Sequence, residues 1–258
     1  MILDAAGLAR FYATPLGRRA AAVIRRRLAR SLGSASGRRI AVIGFAPPQI
    51  ADWCARAQVA VQLNPARIGA LRGGWRAVLS AEDALPLADE AVDVLLLLHA
   101  LEAAGDADAL LREIWRVLAP EGRLVAIVAR RTGLWALSAA TPFGHGRPWR
   151  AGEIAALMAD RCFTVLESAR ILRFPPFGAR VLPALAIERL ADALALPLGG
   201  LLFVTAAKRL ARPVLEGRPG PALRPVHVWQ RVPTKAANGS IHCARGNRKE
   251  SWPSSVSA

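Results

Sequence analysis

Short apolar runs alternate with amphipathic stretches through the first half of the chain, and the period of each predicts an element. Residues 39–44 form an apolar run closed by Gly44, which reads as a strand buried on both faces and entering a tight turn. Pro47 and Pro48 follow. A helix pattern then starts with Ile50, Trp53, Cys54 and Ala57; proline suits its first turn, where the missing N–H would have no helical partner. Residues 59–63 predict a second strand ending in Asn64-Pro65, and Ile68, Leu71 and Trp75 are spaced for a short helix after it. Residues 77–80 predict a short third strand, and residues 92–98 are the clearest buried strand of the chain. Asp106 is placed to cap a helix carrying Leu110, Leu111, Ile114, Val117 and Leu118. Pro120-Glu121-Gly122 stops that helix, and residues 123–128 read as another strand.

Strands alternating with helices in this way imply right-handed crossovers and a mostly parallel sheet covered on both faces, an α/β doubly wound fold. Ligands of such folds bind at the carboxyl ends of the strands, which draws attention to Gly44, Gln62, Glu82, Asp83 and His99. Ahead of the first strand, Leu16, Ala20, Val23, Ile24 and Leu28 mark the apolar stripe of a basic amphipathic helix over residues 16–32. Beyond residue 130 the pattern loosens. A helix over 152–161, a strand over 163–172, a helix over 181–195 and a last strand over 201–207 are expected. From residue 212 onward Pro, Gly, Ser, Asn and Arg recur without periodicity, which predicts a disordered tail. The expected organisation is an N-terminal helical extension over 1–38, an α/β domain over 39–211 and a basic tail over 212–258.

A chain of 258 residues that is 53% hydrophobic can bury a sizeable core. Its net charge of +16 is unevenly spread. Residues 1–39 hold nine Arg and one Asp; residues 40–129 hold seven Arg against eleven acids; the remainder is basic again. The acidic middle argues against a continuous basic face on the core. The basic termini are left as the parts suited to nucleic acid or an anionic membrane surface. The longest uncharged stretches, residues 132–146 and 193–207, are 15 residues each and contain Gly and Pro. A membrane-crossing helix needs about 20 apolar residues, so none is expected. Asp4 and Arg10 interrupt the N-terminus where a secretory signal needs an apolar run. Cys54, Cys162 and Cys243 are scattered without metal-ligand spacing; free thiols in a reducing cytoplasm and no metal site are expected.

Three segments in this order then resemble a known family. Residues 116–124 (Arg-Val-Leu-Ala-Pro-Glu-Gly-Arg-Leu) resemble the RVLKPGGRL stretch before the fifth strand of class I S-adenosylmethionine-dependent methyltransferases. Residues 84–93 resemble that family's LPFPDGSFD stretch, and residues 98–102 its segment after the fourth strand. Residues 11–18 (Phe-Tyr-Ala-Thr-Pro-Leu-Gly-Arg) and 142–148 (Pro-Phe-Gly-His-Gly-Arg-Pro) are similar to stretches of a bacterial subgroup. The resemblance spans roughly residues 1–210. It implies a seven-stranded Rossmann-like sheet whose last strand, here 201–207, runs antiparallel. It also implies methyl transfer from the cofactor's sulfonium to an acceptor, most simply a small molecule, with catalysis resting on holding the two in line.

The chain departs from the family where the cofactor would bind. Residues 40–48 align with the VLDLGCGTG motif, so that Val42 replaces the acid while Ala46 and Pro48 replace the second and third glycines. An alanine forced into left-handed backbone costs about 1–2 kcal/mol, and proline offers no N–H. At the second strand Gln62 stands 18 residues past Gly44, where nucleotide-binding sheets carry a ribose-binding acid. The resemblance assigns S-adenosylmethionine to Gly44, Phe45, Ala46, Gln62 and Asn64, with Glu82 or Asp83 on the adenine side. His99, ending the fourth strand, and His145, in a loop after the fifth, are the candidate catalytic or acceptor-lining residues. The alternative is a non-catalytic module of the same fold that has lost the cofactor.

Overall fold

The computed structural model describes residues 4–69, 77–176, 190 and 199–209. Two helices precede the sheet. Asp4 caps α1 (Ala5–Ala13) by accepting from the Gly7 N–H at 2.7 Å. Thr14 then serves both helices, donating to the Phe11 carbonyl and accepting from the Gly17 N–H at the start of α2 (Pro15–Leu32). A Cβ on Gly17 would lie 2.1 Å from the Phe11 carbonyl oxygen, so only glycine permits this corner. The sequence pattern predicts no element for residues 5–13. The Ala-Thr-Pro-Leu-Gly run, part of the family-like stretch 11–18, is the device that turns α1 back onto α2.

Seven strands follow in the order β3-β2-β1-β4-β5-β7-β6. They are β1 (Arg39–Gly44), β2 (Val59–Pro65), β3 (Ala77–Ser80), β4 (Val92–Leu98), β5 (Leu118–Ala129), β6 (Phe163–Ile171) and β7 (Leu201–Lys208). The first five pair in parallel; β7 lies antiparallel between β5 and β6. The helices are α3 (Pro48–Cys54), α4 (Ala100–Ala103), α5 (Ala107–Val117) and α6 (Ala151–Asp160). This is the mostly parallel seven-stranded Rossmann-like sheet expected from the sequence. Strand β5 begins earlier than expected, because Leu118 already pairs with Val92 and residues 119–122 bulge out before Arg123 rejoins Val94.

Both faces of the central strands β1 and β4 are covered, which is why these strands read as apolar runs. Ile40, Val42, Val94 and Leu96 pack under Val23, Ile24 and Leu28 of α2 on one face. Ala41, Ile43, Leu95 and Leu97 pack under Leu110, Ile114 and Val117 of α5 on the other. The N-terminal helices are thus integral to the core. The starts of β1 and β4 are joined by Asp93, which accepts from the Arg39 backbone N–H at 2.8 Å and from its guanidinium at 2.6 Å. Arg116 pins the loop after β3: it donates to the carbonyls of Leu85 and Leu87 and bonds Asp89 and Glu113.

The expected helix over 181–195 and the tail over 212–258 lie outside the described residues, as do Leu71 and Trp75 of the expected helix after β2. No described helix is long and apolar enough to cross a membrane. Among the described residues no cluster of His, Cys, Asp and Glu could hold a metal ion.

Candidate functional site

The carboxyl ends of β1 and β4 lie side by side, with Gly44 in register with Leu98. Gly44 has φ +98°, and a Cβ there would lie 2.0 Å from the Leu98 carbonyl oxygen. The next amide, Phe45 N–H, donates to that same carbonyl. Gly44 is therefore required by the close approach of two backbones, whatever it does for a ligand. Ala46 is absent from the residues with positive φ. The chain leaves Gly44 by a path that no longer needs a second glycine, so the alanine carries no left-handed strain. Pro47 and Pro48, at the N-cap and first position of α3, present no N–H.

Four side chains from separate parts of the sequence meet above these strand ends. His99 follows β4 with φ +62°, a left-handed conformation that turns its ring inward. Its Nε2 is 2.8 Å from the Tyr12 hydroxyl of α1. Tyr12 stacks on Phe45 with centroids 5.8 Å apart, and Phe143 packs 4.7 Å from the His99 ring. His99 is fully buried, and burial pushes its pKa down to about 3. A neutral imidazole of that basicity is a poor proton acceptor at neutral pH, so His99 serves as wall and hydrogen-bonding group. The same desolvation raises the Tyr12 phenol well above its ordinary value.

Glu102, three residues beyond His99, was not a candidate on sequence. It is 5% exposed; Oε1 accepts from the Ala129 N–H at the end of β5 at 2.9 Å, and Oε2 has no partner. His99 Nδ1 and Gln49 Oε1 are likewise buried and unpartnered. Burial raises the Glu102 carboxyl to about 7. The one signal the sequence holds for Glu102 is its spacing from His99, three residues on in the turn that follows β4.

The remaining predicted residues lie at neighbouring strand ends. Asn64 is buried at the end of β2, one register step beyond the Ile43–Leu63 pair and so level with Gly44. Gln62 sits deeper in the strand, and its Nε2 donates to Asn64 Oδ1 at 2.8 Å. Asn64 in turn donates to the Gly69 carbonyl. Asn64, rather than Gln62, holds the strand-end position. Glu82 accepts from the Gly105 N–H at 2.9 Å, which ties the loop after β3 to the loop after α4, while Asp83 is exposed. His145 is anchored locally, its Nε2 2.9 Å from the Ala139 carbonyl. Its loop closes on α4: Arg147 N–H donates to the Glu102 carbonyl, and a Cβ on Gly146 would lie 2.6 Å from that oxygen. The structure thus brings Gly44, Phe45, His99 and Asn64 together. It leaves Glu82 and Asp83 to one side and His145 on the outside of the closing loop.

The fold is the one shared by solved S-adenosylmethionine-dependent methyltransferases. Residues 36–126, from before β1 to within β5, match the family described as a methyltransferase domain. A methyltransferase of this kind from Thermotoga maritima is 17% identical, with 78% of this chain and 93% of that one aligned and a TM-score of 0.58. One from Mesorhizobium loti is 18% identical over 70% and 96% of the two chains, with a TM-score of 0.50. The cyclase SpnF is 20% identical over 72% and 81%, also at 0.50. No curated protein sequence matches the chain. At these identities the structural likeness establishes the fold, and the cyclase among them shows that the fold alone does not fix the reaction.

The residues present fit the cofactor in part. Buried, unpartnered Glu102 Oε2 and His99 Nδ1 supply polar atoms at the strand ends, and Asn64 supplies an amide beside Gly44. The α3 turn does not supply the usual backbone donors, because Pro47 and Pro48 occupy it.

Proposed function

We propose that this chain binds S-adenosylmethionine at the carboxyl ends of β1, β2 and β4 and transfers its methyl group to a small-molecule acceptor. The observation that carries the reading is the placement of Gly44 and Asn64 side by side at adjacent strand ends, within the residues that match the methyltransferase family. When bound, the cofactor supplies an electrophilic methyl group on sulfur. In this reading the chain's own residues do the rest. The Gly44–Ala46 turn lets the backbone approach the ligand. Asn64 offers an amide to ribose hydroxyls, and Glu82 or Asp83 receives the adenine side. Phe45, Tyr12, His99 and Phe143 exclude water from the reacting centre. Catalysis would rest on alignment, since neutral His99 is unsuited to remove a proton. Coverage of the strand ends by Tyr12 of α1 and Phe143 leaves little surface there for a macromolecule, which favours a small acceptor. The exposed arginines of α2, such as Arg18 and Arg25, form a separate surface that suits an anionic partner.

A second reading has its own support. The two prolines, the Gln62–Asn64 bond and the packed aromatic cluster favour a binding module without catalysis. Isothermal titration of the full chain with S-adenosylmethionine and S-adenosylhomocysteine separates the two. Binding in the micromolar range is expected for the first reading. No heat at millimolar ligand, in protein shown to be folded, would establish the second.

A further inference from the structure

Glu102 is the ionisable acid of the strand-end cluster, and neither packing nor catalysis by alignment accounts for it. A buried carboxylate is costly unless paired, and one left with an orphan oxygen is costlier still. Only backbone amides support it, the Ala129 N–H at 2.9 Å and its own, and no side chain reaches Oε2. The groups around it do not neutralise it. From α1 it faces the neutral Tyr12 phenol, whose pKa its charge helps to raise. From its own turn it has neutral His99. From the end of β5 it has a backbone amide, and the neighbouring Arg130 donates to the Gly199 carbonyl. From the closing loop, Arg147 offers its backbone N–H to the Glu102 carbonyl while its guanidinium lies over the Trp149 ring, 4.4 Å from the centroid. His145 is held by Ala139, and Arg131 by Glu153 and the Pro148 carbonyl. Glu102 forms no ion pair among the described residues, although the fold sets it at the carboxyl ends of β4 and β5, where such sheets bind their ligands.

We propose that Glu102 is the counter-charge for the sulfonium of bound S-adenosylmethionine, and that the site thereby prefers the cationic donor to its neutral product. This rests on the cofactor-binding reading above. The chemistry is specific to that pair of ligands. S-adenosylmethionine carries a positive sulfur; S-adenosylhomocysteine, after losing the methyl group, carries a neutral thioether and is otherwise the same molecule. A carboxyl group that is protonated in the empty site gives up its proton when a cation is brought against it. Donor binding would therefore be linked to proton release and product binding would not. Loss of the charge on transfer would weaken the hold on the product.

The test is titration calorimetry of the full chain with each ligand at pH 8 and at pH 6, repeated at pH 7 in two buffers of different ionisation enthalpy, with Glu102→Gln alongside. The expected result at pH 8 is about tenfold tighter binding of the methylated ligand. That preference should shrink at pH 6. At pH 7 a fraction of a proton should be released with S-adenosylmethionine and none with S-adenosylhomocysteine. Glu102→Gln should bind both ligands alike at both pH values. Equal affinities for the two ligands at pH 8, or donor binding that releases no proton at pH 7, overturn the role of Glu102 and leave the cofactor reading standing. Failure of both ligands to bind the unsubstituted protein overturns the cofactor reading itself. The buffer comparison needs no variant, so the proposal stays testable if Glu102→Gln fails to fold.

Discussion

The Tyr12 hydroxyl lies 2.8 Å from His99 Nε2, a buried hydrogen bond that joins the first helix of the chain to the end of its central strand across 87 residues of sequence. It exists because Gly17 and Thr14 turn α1 back over the sheet, and because His99 adopts a left-handed backbone that aims its ring at α1. His99 Nδ1 already lacks a partner. Tyr12→Phe keeps the ring stack on Phe45 and leaves both imidazole nitrogens unpaired. It should cost about 1–3 kcal/mol, read as a lower urea midpoint. An unchanged midpoint would show that the bond does not hold α1 in place.

Gly44→Ala should be more damaging than its chemistry suggests. The added methyl meets the Leu98 carbonyl at 2.0 Å, and φ of +98° is itself unfavourable to alanine. A loss of about 2–4 kcal/mol is expected from overpacking and left-handed strain together. The measurement is thermal melting without ligand, because the argument makes Gly44 structural before it is functional. A variant that melts like the parent would place its role in ligand binding alone.

His99 and Glu102 give opposite dependences on pH. Burial lowers His99 from 6.5 to about 3 and raises Glu102 from 4.5 to about 7. Between about pH 4.5 and 6.5 the folded chain keeps the Glu102 proton and leaves His99 neutral, while the unfolded chain does the reverse. Proton counts are then equal and the pair adds little slope. Single variants expose each half. In His99→Asn, Glu102 alone remains, the folded state binds the extra proton, and stability should fall as pH rises from 4.5 to 7. In Glu102→Gln, His99 alone remains, the unfolded state binds the extra proton, and stability should rise from pH 4.5 to 6.5. Each slope is at most about 1.4 kcal/mol per pH unit. Urea midpoints across that range decide it, and slopes of the same sign in both variants would refute the assignment.

Arg116 holds the loop that follows Glu82 and Asp83, between β3 and β4. Its planar fork bonds two backbone carbonyls and two carboxylates at once, and a lysine ammonium cannot reproduce that geometry. Arg116→Lys should lower stability by about 1–2 kcal/mol. It should also open residues 82–90 to limited proteolysis. Cleavage elsewhere, with that loop intact, would count against it.

Much of the fold was legible because its physical signals are local. The apolar runs at 39–44 and 92–98 could only be strands covered on both faces. Asp106 caps α5 by the ordinary rule, whereas the helix ends at Val117, ahead of Pro120, because Leu118 already pairs with Val92. The family-like segments turned out to be mechanical parts: Arg116 pins a loop, and the stretch from Phe11 to Arg18 makes the α1–α2 corner. Residues 5–13 were missed because Ala, Gly and Leu around a short polar start give a weak period. The site was less legible. Gln62 stands at the expected distance from Gly44, but the register of β2 on β1 gives the strand end to Asn64. His99 reads as a base in sequence, and burial removes its basicity. Tyr12, Phe143 and Glu102 become site residues only through contacts that span the chain.

The measurement that bears most directly on the central claim is ultraviolet crosslinking of methyl-labelled S-adenosylmethionine to the full chain, followed by peptide mapping. Aromatic rings crowd the strand ends, so label should appear in peptides containing Tyr12, Phe45 or Phe143. It should be competed away by unlabelled S-adenosylhomocysteine in excess. Label that is absent, uncompeted or confined to peptides remote from the ends of β1 and β4 would contradict cofactor binding at this site.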